Sequence, residues 1–158
     1  MGFFMGHAYR LCPFFCNFAF RMDFKLHKDE KLRSRKAIEL LFSEGESLMA
    51  FPLRAAFRLR EPQGNTAQFL ITKPKKRNRK AVMRVCLRRR TREAYRLNRG
   101  ELLLQPLEQL GVGVDIAFIY LDSNPAPYSV INEKMTSLLS RIVAAAENNS
   151  SSLPQEEK

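Results

Sequence analysis

The sequence predicts an α+β fold. It is a two-layer sandwich in which helices cover a central, mostly antiparallel sheet of about four strands, in the order α-β-β-β-α-β-α. Three observations predict it. Apolar residues recur at helical spacing in the segments 28–44, 81–99 and 129–146. Between them lie short runs rich in alternating or β-branched residues, bounded by turn residues. The positive charge is also gathered into one place: Lys73 to Arg99 holds thirteen Lys or Arg against a single acid, Glu93, a net +12 in a chain of net charge +11.

Lys28 to Glu44 reads as the first helix. Leu32, Ile38, Leu41 and Phe42 lie near one stripe, Leu40 adds apolar surface, and Gly45 stands where a C-cap is expected. Ser47 to Arg60 reads as a strand with Phe51-Pro52 at its entrance, since proline is tolerated at strand starts and edges. Within it Leu53, Ala55 and Phe57 alternate with Arg54, Ala56 and Arg58. Glu61-Pro62-Gln63-Gly64-Asn65 is a turn, so this strand and the next, Ala67 to Thr72, are expected to be antiparallel around it.

Lys73 to Lys80 is a basic loop and Ala81 to Arg99 the second helix. Glu101 to Leu110 continues as a short helix interrupted at Pro106. Val112 to Leu121, rich in Val, Ile, Phe and Tyr, is the clearest strand, and Asp122 to Pro127 is a loop. Ser129 to Ala146 is the terminal helix, with Ile131, Met135, Leu138, Leu139, Ile142 and Val143 on one side.

A chain of 158 residues is most simply one domain, here residues 23–146. Residues 1–22 are expected to be a poorly structured extension, with translation starting at Met22. The apolar run from Leu11 to Phe20 is broken by Pro13, lacks a small-x-small cleavage site, and is shorter than the ~20 residues of a membrane span. Gly6 breaks a myristoylation pattern. Residues 147–158 are expected to be a disordered polar tail. Three cysteines, Cys12, Cys16 and Cys86, make no disulfide framework and point to the reduced cytoplasm. The loose spacing of His7, Cys12 and Cys16 makes no metal site.

At 3.6 residues per turn, Arg84, Arg88, Arg89, Arg92, Arg96 and Arg99 share one broad face, with Tyr95 among them. Cys86, Leu87, Ala94 and Leu97 lie opposite, and Arg90 falls toward that apolar side, from which it snorkels. Like charges at this spacing repel by a few tenths of a kcal/mol per pair, so the arrangement makes sense against a polyanion. Arginine suits bidentate phosphate contact and base stacking. Six neutralised phosphates on a duplex would give a log–log salt slope near ~−5. No catalytic constellation is visible. Both histidines, His7 and His27, are N-terminal, no glycine-rich phosphate loop occurs, and Asp115 and Asp122 read as strand-edge residues.

The stretch Ala81-Val82-Met83-Arg84-Val85-Cys86-Leu87-Arg88-Arg89-Arg90-Thr91-Arg92-Glu93-Ala94 resembles the signature helix of the protein subunit of bacterial ribonuclease P, Ala-Val-x-Arg-Asn-Arg-x-Lys-Arg-x-x-Arg-Glu-Ala. Leu32 to Gly45, Phe51-Pro52-Leu53-Arg54 and Ile71-Thr72-Lys73 also resemble that family, and the likeness covers residues 25–145. The resemblance implies a protein that binds a catalytic RNA and helps it remove the 5′ leader of precursor tRNA. The RNA, with its bound Mg2+, would do the cleavage, so no catalytic residue and no metal ligand is expected in this chain. No membrane and no obligate protein partner is expected either.

Carried over, Arg84, Arg88, Arg89 and Arg92 match the motif's basic positions, and Arg96 extends that face. Lys73 and Lys80 of the basic loop join them as expected RNA contacts. Ile38 and Phe42 match positions facing a leader-binding cleft, with Phe57 expected beside them. Val85 and Cys86 stand where the motif has Asn and Arg, and Ile38 replaces a commonly aromatic residue. Arg77-Asn78-Arg79 is out of register with the motif. The alternative is a ribosome-associated or other structured-RNA-binding protein without a role in cleavage. A DNA-binding module that inserts the basic helix in a major groove is a further rival.

Overall fold

The computed structural model describes residues 25–61, 64–77 and 79–150. The extension expected over residues 1–22 and residues 151–158 of the expected tail lie outside the described residues. The elements are α1 (Arg35–Glu44), β1 (Glu46–Ala50), β2 (Leu53–Arg60), β3 (Ala67–Thr72), α2 (Ala81–Arg99), α3 (Gln105–Leu110), β4 (Gly113–Tyr120) and α4 (Tyr128–Ser150). The strands form one sheet in the order β1-β2-β4-β3, the α+β architecture the sequence predicts. β2 pairs antiparallel with β1 and β4, while β3 and β4 are parallel.

Five local expectations change. First, β2 and β3 do not pair across the turn at 61–65, because β4 lies between them. β4 is buried at every position but Ile119, so the centre of the sheet is where its apolar surface is covered. A parallel β3–β4 pair needs a long crossover, and α2 supplies it. Arg60 ties the junction. Its Nε donates to Asp115 Oδ1 at 2.9 Å and its Nη2 to the Asn65 carbonyl at 2.6 Å. Second, Ser47 to Arg60 is a hairpin, turning at Phe51-Pro52, whose peptide bond is cis.

Third, α1 begins at Arg35. Ser34 caps it, its Oγ accepting from the Ala37 N–H at 3.4 Å. The residues before it make a turn over 28–31 and then a single bridge to β3 instead. Leu32 N–H donates to the Phe69 carbonyl at 3.0 Å, and Phe69 N–H to the Glu30 carbonyl at 2.8 Å. Fourth, Pro106 does not interrupt the helical path. A π-turn over Gly100–Leu104 joins α2 to α3, with the Gln105 N–H bonded to the Gly100 carbonyl. Proline has no N–H and its ring crowds the carbonyl four residues back, and a widened turn absorbs both. Gly111, at φ +65°, closes α3 in the left-handed region. Fifth, α4 carries helix through Ser150, past the expected Ala146.

The two faces of the sheet carry different helices, so the α+β fold has three layers where two were expected. Phe57, Ile116, Phe118 and Phe69 pack against Leu87 and Tyr95 of α2 and Ile131, Met135 and Leu139 of α4. On the other face Leu41 of α1, with Leu32, covers Ala56 and Ala117. Strand parity enforces the division, since residues facing each other across the sheet share a face. Ala56, Ala117 and Leu70 form one row under α1, and Phe57, Ile116 and Phe69 the next row on the opposite face.

Candidate nucleic-acid interface

The inner stripe of α2 is Leu87, Thr91, Ala94 and Tyr95, all buried. Tyr95 is therefore a core residue and not a member of the arginine face. It follows Leu87 and Thr91 at four-residue spacing, which keeps it on their stripe. Its ring lies 4.6 Å from that of Phe69 and 5.5 Å from that of Phe118, and burial pushes its phenol well above the ordinary range. Arg99 also turns inward. Its Nη1 pairs with the Glu30 carboxylate, and its Nη2 donates to the Lys25 carbonyl at 2.9 Å. It fastens the chain ahead of α1 to the end of α2.

The outer side of α2 is where the predicted contacts divide. Arg88, Arg89 and Arg92 are exposed, and so is Lys80, the residue that caps the helix. Arg84 is half-buried and donates from Nη1 to the Arg79 carbonyl at 2.7 Å, bracing the basic loop. Arg96 is half-buried and closes on Glu93 with contacts of 2.9 and 2.5 Å. That hydrogen bond holds the Glu93 carboxyl below its usual range. Lys73, an expected RNA contact, is only 6% exposed. Its Nζ donates to the Asp122 carbonyl and sits 4.6 Å from the Tyr120 ring centroid, so it joins β3 to the loop after β4 and does not reach outward. Arg90 does not snorkel freely, because its Nη1 donates to the Ala126 carbonyl at 2.8 Å.

Of the seven predicted cations, Lys80, Arg88, Arg89 and Arg92 are thus left facing outward, and the helix adds to them. The first turn of α2 has no acidic residue and no side-chain cap, so its N–H groups reinforce the positive potential there.

A second group of expected contacts lies on α1. Ile38 and Phe42, four residues apart, share one flank of the helix. Ile38 is half-buried, and Phe42 is 52% exposed. Glu44 occupies the other flank, where it pairs with Arg58 at 3.1 Å. Arg54, Ile119 and Thr72 form the next row of the sheet on the face that α1 covers, Arg54 exposed and the other two half-buried. Phe57 does not stand beside Ile38 and Phe42. It is 1% exposed and belongs to the core on the opposite face. The residue that sequence reasoning missed is Arg54, exposed on the α1 side and braced by Nε donation to Ser47 Oγ at 2.7 Å. The alternation of β2 separates Arg54 from Phe57, but which set α1 covers is a tertiary fact.

These features can be compared with known proteins. A family model described as Ribonuclease P matches residues 26–143. The ribonuclease P protein components of two Porphyromonas gingivalis strains are each 35% identical over 120 residues, covering 75% of this chain and 87% of theirs. The RNase P protein from Thermotoga maritima, 28% identical, superposes with a TM-score of 0.56 over 70% of this chain and 96% of its own. The Staphylococcus aureus RNase P protein, at 15% identity, shares the fold with a TM-score of 0.56, covering 72% of this chain and 94% of its own. With the family model spanning most of the sequence and a relative of this identity aligned over three quarters of it, the chain belongs to the ribonuclease P protein components, and so to a ribonucleoprotein nuclease of tRNA processing.

Proposed function

We propose that this chain binds the catalytic RNA of ribonuclease P through the outer side of α2 and holds the 5′ leader of precursor tRNA beside α1. The observation that carries the reading is the division of α2. Its back is packed into the core while Arg88, Arg89 and Arg92 stand exposed on a rigid helix. Three mutually repelling guanidinium groups favour binding a phosphate chain, releasing counterions from it, over any partner within this fold. Arginine rather than lysine allows each contact to be bidentate.

The leader reading rests on α1 and the sheet face it covers. An extended single strand needs an apolar surface for its bases and cations for its backbone. Ile38, Phe42 and Ile119 offer the first, and Arg54 the second. The work of this chain is affinity and positioning. Among the described residues, no three His, Cys, Asp or Glu side chains gather where they could hold a metal ion. In this reading the RNA would hold the Mg2+, which would supply an activated water and charge neutralisation at the scissile phosphate. The reading puts the chain in the cytoplasm, and no helix among the described residues is long and apolar enough to cross a membrane.

The test is cleavage of a precursor tRNA by the catalytic RNA at low magnesium, with and without the protein. The protein is expected to restore cleavage where the RNA alone is slow, and to do so less for a precursor lacking its leader contacts. Tight RNA binding with no effect on cleavage would instead identify a structured-RNA-binding protein outside the reaction.

A further inference from the structure

The exposed ridge of α2 is not basic along its whole length. Val82, Val85 and Arg89 follow one another at three- and four-residue spacing and so adjoin on the surface. Val82 is 79% exposed and Val85 37%. With Ala81 and Cys86 they floor a hollow of about 450 Å³ whose remaining walls are Arg89 and Arg90. The Arg90 guanidinium is held in place by the Ala126 carbonyl, while Arg89 and the neighbouring Lys80 are exposed. None of the six lining residues is acidic. This is also where the family motif is broken, with Val85 and Cys86 in place of the polar Asn and Arg.

An apolar floor with a cationic rim suits an unstacked nucleotide. Its base brings a flat face with little need of hydrogen bonds there, and its phosphate follows within reach of a guanidinium. An apolar protein side chain in the same hollow would supply the first and not the second, leaving Arg89 desolvated without an anion.

We infer that the hollow of Val82, Val85 and Cys86 seats one unstacked base of the bound RNA, with Arg89 at the adjoining phosphate. The inference rests on the reading of α2 as the RNA-binding face. It assigns to this chain an apolar contact at the positions where the family motif would place polar side chains. Burial of the base adds binding energy that salt does not screen, beside the salt-sensitive share from the arginines.

The experiment compares Val82→Ser/Val85→Ser with Arg88→Ala/Arg92→Ala in the full chain. Serine and valine have similar helix propensities, so α2 is preserved, which circular dichroism checks. Each protein is titrated with a transcript of the ribonuclease P catalytic RNA over a range of salt. The valine variant is expected to bind roughly tenfold more weakly at every salt concentration, with an unchanged log–log slope. The arginine variant is expected to flatten the slope. Unchanged affinity of the valine variant, beside a weakened arginine variant, overturns the hollow and leaves the function standing. A changed slope, or a shifted monomer–dimer equilibrium with RNA affinity intact, overturns it too. Absence of RNA binding by the unaltered protein overturns the reading of α2 itself. As a second measurement, saturating RNA should slow alkylation of Cys86, read by mass spectrometry of its peptide. An unchanged rate counts against the base.

Discussion

Arg88 and Arg92 are one helical turn apart, both exposed, and neither has an ion-pair partner among the described residues. Their mutual repulsion costs the folded chain a few tenths of a kcal/mol. Replacing both with alanine removes that repulsion and improves helix propensity, so Arg88→Ala/Arg92→Ala should melt at or slightly above the temperature of the unaltered protein. RNA binding should move the other way. Each neutralised phosphate on a duplex contributes about 0.9 to the slope of log K against log salt, so the loss of two lowers its magnitude by about 1.8. Across about 50 to 200 mM salt this amounts to about one logarithmic unit, so the binding deficit should be near ~10-fold larger at the low end. Thermal melting and fluorescence anisotropy with a labelled transcript of the catalytic RNA measure the two quantities. Weakened binding with an unchanged slope would refute direct phosphate contact. A melting temperature lowered by several degrees would show that these arginines serve the fold.

Glu93→Gln should free Arg96 from its carboxylate, tighten RNA binding at low salt and steepen the slope by about one phosphate. Because Arg96 depresses the folded Glu93 pKa, the pair stabilises fully above the unfolded glutamate value. That contribution fades as the pH falls through the depressed one, which a pH series of melts with Glu93→Gln as reference would detect. Phe42→Ala, at an exposed position, should leave the melting temperature nearly unchanged and raise KM for a leader-bearing precursor. Phe57→Ala should cost ~3–5 kcal/mol of stability, seen by urea denaturation, with leader binding unaffected in the fraction that folds. Glu30→Ala strands the buried Arg99 guanidinium and should cost ~3–5 kcal/mol, whereas the double change Glu30→Leu/Arg99→Met should recover much of that loss.

The parts of this fold that were legible in the sequence are those specified by short-range pattern. The apolar spacing of α2 and α4 and the β-branched run of β4 locate those elements to within a few residues. What escaped was partnership. Nothing local in Val112 to Leu121 says that this strand will insert between β2 and β3, because the choice depends on which burial is greatest over the whole sheet. The same gap explains Phe57. Its alternation with Arg54 is plain, yet the face that α1 covers is set by helix placement, so the aromatic lies in the core and the arginine is exposed on the α1 face. The start of α1 departs from its apolar stripe for a different reason. Leu32 suits a helical stripe, but Ser34 is a strong cap, and Glu30 to Leu32 gain strand bonds with Phe69 that a helix would forgo.

Counting charges overstates how many can reach a ligand, and α2 shows by what route. Of the six arginines that a helical projection places together, Arg99 is consumed by Glu30 in the interior, Arg96 by Glu93, and Arg84 in part by the Arg79 carbonyl. Arg88, Arg89 and Arg92 remain. The salt dependence owed to α2 arginines then falls from about −5 for six phosphates to about −2.7 for three. Each diverted arginine has a structural return. Arg99 fastens the segment beside β3, and Arg84 braces the loop that delivers the chain into α2. The outward arginines therefore stand on a helix whose two ends are anchored by the inward ones. On the proposed reading, a helix anchored in this way loses less entropy when RNA binds, which is a reason for it to carry more arginines than its ligand would touch.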